Sequence, residues 1–161
     1  MNIYIRLAFF VLLPVVFSMS LKTVYAQHSE QYWEGNLVVE FEGNKTYLPF
    51  TMKIKTDGKG ACQGENTLWV EVKGRKYFSR VLQKCTCTND GELTFSDSLT
   101  LESTHPPRMP YFTWCEKQGT LYINDKTMTG TINSSSSYGN CLPAWAQLEL
   151  KADTLAKETI K

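Results

Sequence analysis

The sequence has few of the residues on which enzyme active sites usually depend. Its 161 residues include only two histidines, His28 and His105. The chain has no G-x-S-x-G nucleophile elbow and no glycine-rich phosphate-binding loop, so neither a hydrolase triad nor a nucleotide site is indicated. His28 lies close to the predicted mature N-terminus, where disorder is usual. We therefore predict that the protein is not an enzyme and uses no cofactor.

Long apolar runs are also missing after the first residues. Arg6 provides a positively charged start, and the apolar stretch that follows, residues 7–17, has about 11 residues, too few to span a bilayer, which takes about 20. Val24 and Ala26 form a small-residue cleavage site. These features predict a signal peptide over residues 1–26 and an exported protein, periplasmic or extracellular. An uncleaved anchor is the alternative.

The mature chain, residues 27–161, lacks an excess of either charge. Removing residues 1–26 takes away Arg6 and Lys22 and no acidic residue, which leaves 15 basic residues (17 − 2) against 16 acidic ones. A near-neutral chain without a basic patch gives no electrostatic reason to expect nucleic acid as a partner. About 135 residues (161 − 26) make one domain with a core of its own.

The mature sequence is rich in β-branched and aromatic residues, with turn residues at short intervals. Residues 45–56 show the pattern most clearly, because apolar and polar residues alternate there, which indicates a strand with one buried face. The same pattern predicts eight strands over residues 33–42, 45–56, 60–72, 75–88, 92–102, 111–123, 126–133 and 141–151. Residues 152–161 are predicted to form a short tail.

Eight consecutive strands joined mainly by short turns, such as Asp57-Gly58, favour an all-β fold with up-and-down antiparallel topology. Such a meander closes into a barrel, which removes its exposed edges. A two-sheet β-sandwich would show similar patterning and remains an alternative. An outer-membrane barrel has the same strand number, but the chain ends in Ile160-Lys161 rather than in an aromatic residue.

The start of the first strand carries a resemblance. The run Trp33-Glu34-Gly35, followed by eight meandering strands and a short tail, resembles the calycin barrels of the lipocalin and avidin group. Lipocalins have Gly-x-Trp in place of the Trp-x-Gly found here, so only Trp33 is carried over, as a plug near the closed end of the barrel. The Ala26–Gln27 junction resembles signal-peptide junctions of exported Bacteroidetes proteins.

Five cysteines in an exported chain predict two disulfides and one spare thiol. If Lys73-Gly74 is a two-residue turn, counting outward from it places Cys62 opposite Cys85. Cys87 lies on the same face, because side chains alternate with period two, and a bulge would exchange the two partners. The first bridge therefore joins Cys62 to Cys85 or to Cys87.

The second predicted bridge joins Cys115 to Cys141. These residues begin the sixth and eighth strands, and in a meander both starts lie at the same end. The bridge would tie the proline loop (residues 103–110) to the serine loop (residues 134–140). The spacing in Cys85-Thr86-Cys87 is shorter than structural zinc sites use, so no metal site is predicted.

Both long loops share one end of the predicted barrel, and ligand pockets favour barrel mouths. The candidate ligand-binding residues at this mouth are His105, Arg108, Tyr111, Trp114, Tyr138 and Trp145. Aromatic side chains offer a large, rigid contact area. Trp114 and Trp145 have a second interpretation, as part of the core or the barrel wall.

Asp97 interrupts a predicted apolar face formed by Leu93, Phe95, Leu99 and Leu101. A buried carboxylate there would need partners and could serve acid–base chemistry; otherwise the residue marks a bulge or an edge. A small barrel enzyme using Asp97 or His105 is the least favoured hypothesis.

The predicted function is that of an exported, non-catalytic binding module. Its ligand would be a small apolar or aromatic molecule, or a glycan, held at the long-loop mouth. The alternative is a solid barrel that acts as a protein-interaction or structural module of the cell envelope. A hollow interior would favour the first function, and a filled interior with exposed aromatic residues would favour the second.

Overall fold

The computed structural model describes residues 29–57, 60–139 and 141–153. Within them the chain forms eight strands: β1 Ser29–Phe41, β2 Asn44–Thr56, β3 Ala61–Val72, β4 Arg75–Cys87, β5 Glu92–Ser103, β6 Glu116–Asn124, β7 Thr127–Ser135 and β8 Ala144–Asp153. Each strand pairs antiparallel with the next, and β8 pairs with β1 to close the barrel. The predicted up-and-down barrel is confirmed. The predicted signal peptide, His28 and residues 154–161 of the predicted tail lie outside the described residues.

Two-residue turns set the register of the first hairpins. Glu42 and Gly43 join β1 to β2, and Lys73 and Gly74 join β3 to β4, all four with positive φ between 50° and 78°. Turns with two positive φ angles match the right-handed twist of the strands they connect. The predicted strands 33–42 and 45–56 leave residues 43 and 44 for the first turn, but the turn lies one residue earlier, because Asn44 already pairs in β2.

Side chains fill the inside of the barrel. Trp33 of β1 is completely buried and has Met52 of β2 and Leu150 of β8 as neighbours across the sheet. The apolar core around it consists of Leu37, Phe50, Met52, Ile54, Leu68, Leu93, Phe95, Leu121, Met128, Ile132, Ala144, Ala146 and Leu148. Trp33 therefore belongs to a continuous packed interior.

The barrel wall is incomplete between β5 and β6. These strands pair only from Glu92 to Ser96 on β5, whereas β5 pairs with β4 as far as Ser103. The β4–β5 register shifts twice. At each shift one residue of β5, first Ser98 and then Leu101, has no partner on β4 and forms a bulge. β6 has only Lys117 and Glu116 beyond the last pair, so β5 continues towards the long loops without a partner on β6. We call this opening the β5–β6 gap.

The bulges also correct one prediction. Leu99 and Leu101 were expected on the buried face with Leu93 and Phe95, but both are exposed. Each bulge inserts one residue, and a shift of one residue sends the following side chains to the other face. Asp97 therefore lies at the end of the buried run, next to a bulge, rather than in its middle.

The long connections are longer than predicted. β6 begins at Glu116 instead of residue 111, so residues 104–115 form one connection that includes most of the proline loop. β8 begins at Ala144 instead of residue 141, so the second long connection covers residues 136–143. Both connections lie at the same end of the barrel, as the alternation of strand direction requires. The described residues include no helix long and apolar enough to cross a membrane.

Candidate functional site

The disulfides fix both ends of the barrel. Cys62 of β3 is bonded to Cys85 of β4 with an S–S distance of 2.07 Å. Cys115 is bonded to Cys141 at 2.04 Å, which joins the two long connections. Both predicted bridges are confirmed, and Cys87 is the spare thiol. Burial raises the pKa of the Cys87 thiol, because the thiolate is poorly solvated there.

The connection between β5 and β6 is held together by aromatic contacts. The Phe112 ring meets His105 edge-on with centroids 6.0 Å apart, and it meets Trp114 in the same way at 5.2 Å. The Trp114 Nε1–H donates to the carbonyl of Thr104 at 3.1 Å. Phe112 was not among the predicted residues, although it lies in the aromatic run that ends at Trp114. His105 and Trp114 therefore contribute to the internal packing of this connection.

Two tyrosines stand at the surface of this end. Tyr111 is 74 % exposed and Tyr138 is 56 % exposed. Their rings are perpendicular, with centroids 6.1 Å apart. Tyr111 comes from the β5–β6 connection and Tyr138 from the β7–β8 connection, and the bridge between Cys115 and Cys141 ties these connections together. We call Tyr111 and Tyr138 the tyrosine pair.

The remaining predicted residues are split between two locations. Arg108 is exposed in the same connection as Tyr111 and has a positive φ of 63°. Trp145 is exposed on the outer wall, where its cross-strand neighbours are Val38 of β1 and Thr131 of β7. Its neighbours in sequence, Ala144 and Ala146, face the core. Trp145 is thus part of the outer barrel wall.

A buried polar cluster lies where β5 and β6 separate. The Asp97 carboxylate accepts a hydrogen bond at Oδ1 from Asn66 Nδ2 at 2.9 Å and from Gln83 Nε2 at 3.3 Å. Its Oδ2 accepts the backbone N–H of Lys117 at 2.9 Å and lies 2.7 Å from the Lys117 Nζ. The ammonium also donates to the carbonyl of Cys115 at 3.3 Å. Both charged side chains are almost completely buried.

The four polar residues come from four neighbouring strands, with Asn66 on β3, Gln83 on β4, Asp97 on β5 and Lys117 on β6. Sequence reasoning identified only Asp97. The alternation of inward and outward side chains could have identified Lys117 and Asn66. Lys117 lies four residues before the buried Leu121 and Asn66 lies two before the buried Leu68, so both side chains are on the inner face. A buried charge is tolerated only when it is paired and hydrogen-bonded. The Asp97 carboxylate is fully engaged by donors, so its arrangement suits a structural role better than that of a general base.

A cavity of about 70 Å³ opens beside this cluster in the β5–β6 gap. Its walls are Ser79, Val81, Asp97, Ser98, Leu99, Thr100, Trp114, Cys115 and Glu116. The buried Ser79 Oγ has no hydrogen-bond partner. A water molecule takes about 30 Å³ of liquid volume, and ligand pockets usually measure about 300–1,000 Å³. The cavity therefore suits a few water molecules and is too small for an aromatic ligand.

No group of three or more histidine, cysteine, aspartate or glutamate side chains is arranged to hold a metal ion in the part of the chain that the structure describes. A scan against models of known protein families and a search of curated proteins both found no match for this chain.

Proposed function

We propose that the protein is a non-catalytic binding module of the cell envelope that recognises a glycan at its long-loop end. The observation that carries this proposal is the tyrosine pair. Two exposed, perpendicular rings stand on different connections, and a disulfide between Cys115 and Cys141 holds those connections together. The presence of two disulfides supports an exported location, because such bonds persist in oxidising compartments.

The chemistry of the tyrosine pair supports a carbohydrate. A tyrosine ring offers a flat apolar face and a polar hydroxyl, and it loses little conformational freedom on binding. Perpendicular rings present faces in two directions, which suits a ligand with more than one ring. Arg108 lies on the same connection as Tyr111 and is exposed, so its guanidinium can donate hydrogen bonds to hydroxyl groups.

The filled interior directs the proposal to the surface of this end. The core residues around Trp33 occupy the barrel, and the cavity in the β5–β6 gap measures only about 70 Å³. A small apolar or aromatic ligand inside the barrel would need more space. Of the two ligand classes expected at the mouth, the glycan is therefore better supported.

A protein partner is the second candidate. A filled interior with exposed aromatic residues is the outcome expected of an interaction module, and other apolar side chains are exposed at the same end of the barrel. Phe41 ends β1 at this end of the barrel, and Met109 and Leu142 belong to the long connections. All three are exposed. Aromatic residues and methionine are enriched in protein interfaces. A solid barrel with such an end would act as an interaction module of the envelope.

The test is a glycan array with the mature protein, followed by calorimetry with the oligosaccharides that bind. Tyr111→Ala and Tyr138→Ala should each weaken binding at least about tenfold, about 1.4 kcal/mol. The matched control is Tyr122→Ala, since Tyr122 is 55 % exposed, like Tyr138, but lies on the outer face of β6. Equal binding by all three variants would contradict the proposed site.

A second experiment separates the two ligand classes. A photo-reactive phenylalanine analogue at position 111 should cross-link to a glycan in the native envelope, and the adduct should be removed by glycosidases. An adduct that resists glycosidases and yields peptides of one other protein after digestion would favour the protein partner. The same analogue at position 122 is the control for non-specific cross-linking.

A further inference from the structure

We propose that Cys62, Cys85 and Cys87 form a thiol–disulfide exchange site, in which Cys87 attacks the bridge between Cys62 and Cys85. The observation behind this proposal is a short distance. The Cys87 Sγ lies 3.4 Å from the Cys62 Sγ, while Cys62 is already bonded to Cys85. A free thiol thus touches one sulfur of a disulfide.

The strand geometry explains why three sulfurs meet. Cys62 and Cys85 are direct partners in the β3–β4 ladder. Cys87 follows Cys85 by two residues on β4, so both side chains are on the same face. All three pack partly buried against the apolar core. The trio is therefore a fixed feature of this hairpin rather than a chance approach of flexible side chains.

The position of Cys87 gives it room to react. It is the last residue of β4, and its backbone N–H donates to the carbonyl of Gly60 at 2.8 Å, next to the turn that precedes β3. Bonding Cys62 to Cys87 makes a diagonal bridge, which spans a longer distance than a direct cross-strand pair. Cys87 is the last residue of β4 in the β4–β5 ladder, opposite Leu93, and the end of a ladder opens more readily than its middle.

The reaction balances without an external oxidant. Cys87 loses its proton, and the thiolate attacks the Cys62 Sγ. The new bond joins Cys87 to Cys62, the bond between Cys62 and Cys85 breaks, and Cys85 leaves as a thiolate that takes up a proton. One disulfide and one thiol remain, so no sulfur is oxidised or reduced overall. The free thiol has moved from position 87 to position 85.

The other disulfide is outside this reaction. Cys115 and Cys141 lie at the long-loop end, whereas Cys87 lies at the end of the short turns after β4. Exchange therefore involves only the trio, and the bridge between Cys115 and Cys141 is an internal control. The consequence is a barrel with one constant disulfide and one disulfide whose partner can change.

The decisive experiment maps the free thiol in the wild-type protein. The folded protein is incubated at mildly alkaline pH, quenched in acid, and its free thiol is blocked with N-ethylmaleimide after unfolding. The disulfides are then reduced and alkylated with iodoacetamide. Cleavage after Lys84 gives a peptide that begins at Cys85 and contains Cys87, and fragment ions show which of the two carries maleimide. Maleimide on both positions supports exchange, and maleimide on Cys87 alone overturns it.

Variants provide an independent measurement. Cys85→Ser should form the bridge between Cys62 and Cys87, so that none of its four cysteines reacts with maleimide. Cys87→Ser should keep the bridge between Cys62 and Cys85, also with no reactive thiol. If Cys85→Ser folds with both Cys62 and Cys87 labelled, the proposal is wrong. If that variant does not fold, the wild-type map alone decides.

Discussion

Lys117 binds Asp97 twice through the same carboxylate oxygen, with its backbone N–H at 2.9 Å and its ammonium at 2.7 Å from Oδ2. Ser96 and Gln118 are the last register pair of β5 and β6, so Asp97 and Lys117 occupy the next position. The carboxylate thus takes the place of the ladder bond that is missing there. Asp97 therefore neutralises the buried Lys117 ammonium and also accepts the Lys117 backbone N–H at the end of the β5–β6 ladder.

Asp97→Asn should destabilise the protein strongly. The substitution leaves the Lys117 ammonium buried without a counter-charge, and breaking a buried ion pair in this way typically costs about 3–5 kcal/mol. Urea unfolding followed by tryptophan fluorescence measures the change. The control is Glu30→Gln, which removes a partly exposed carboxylate that is paired with Lys53 and Lys55 and should have little effect.

The double variant Asp97→Asn with Lys117→Met tests the same pair from the other side. Removing both charges leaves no uncompensated ion, so the double variant should recover much of the stability lost by Asp97→Asn. A double-mutant cycle then gives the coupling energy. A double variant as unstable as the sum of the single variants would mean that the two side chains do not act as a pair.

Removing the bridge at the long-loop end should cost stability and binding together. Replacing Cys115 and Cys141 with serine opens a loop whose ends are 26 residues apart, a loss of about 3 kcal/mol in the chain-entropy model. The tyrosine pair should then lose its fixed geometry, and glycan affinity should fall. Thermal unfolding and calorimetry measure the two effects. Cys87→Ser, which removes a thiol but no disulfide, should change neither.

Gly35→Ala should destabilise the barrel where β1 meets β8. A Cβ at this position overlaps the carbonyl oxygen of Gln147 and lies 2.9 Å from the Leu148 Cα, both of them backbone atoms of β8. Overpacking of this kind costs about 1–3 kcal/mol. Gly64→Ala is the comparison, because its nearest neighbour is a side-chain oxygen, that of Gln83 at 3.1 Å. Denaturant unfolding should show the larger loss for Gly35→Ala.

Cys87 should react with iodoacetamide at higher pH than an ordinary thiol. Burial raises its pKa, and only the thiolate is the nucleophile. The midpoint of the rate–pH profile should therefore be higher in the folded protein than in urea, where the thiol is solvated. The shift in midpoint separates this effect from steric shielding, which lowers the rate at every pH. An unchanged midpoint would contradict the role of burial.

The regular parts of the fold were predictable because short-range rules determine them. The two-residue turn at Lys73-Gly74 sets the β3–β4 register, and the register alone narrows the partner of Cys62 to two cysteines. The alternation along β2 identifies its buried face without any knowledge of the other strands. These features depend on a period of two and on turn chemistry, which are readable from a single sequence.

The irregular parts depend on contacts between distant residues. The bulges at Ser98 and Leu101 arise where β5 leaves β6, and nothing in the local sequence marks that point except Asp97. The polar cluster was missed for the same reason, since Asn66 and Lys117 appear unremarkable until the closed barrel brings their strands together around one carboxylate. Phe112 was hidden among other aromatic residues, and only its edge-on contacts with His105 and Trp114 distinguish it.

The β5–β6 gap has a mechanical consequence. A barrel with continuous hydrogen-bonded ladders resists changes in its diameter. A barrel in which neighbouring strands are unpaired along part of their length can change its diameter there. Two ladders of this barrel stop short of the long-loop end, the β5–β6 ladder at Ser96 and the β2–β3 ladder at Phe50, whereas the other end is packed around the buried Trp33. The loop end can therefore widen or narrow where the β5–β6 and β2–β3 ladders stop, while the ladders of the other strand pairs stay intact.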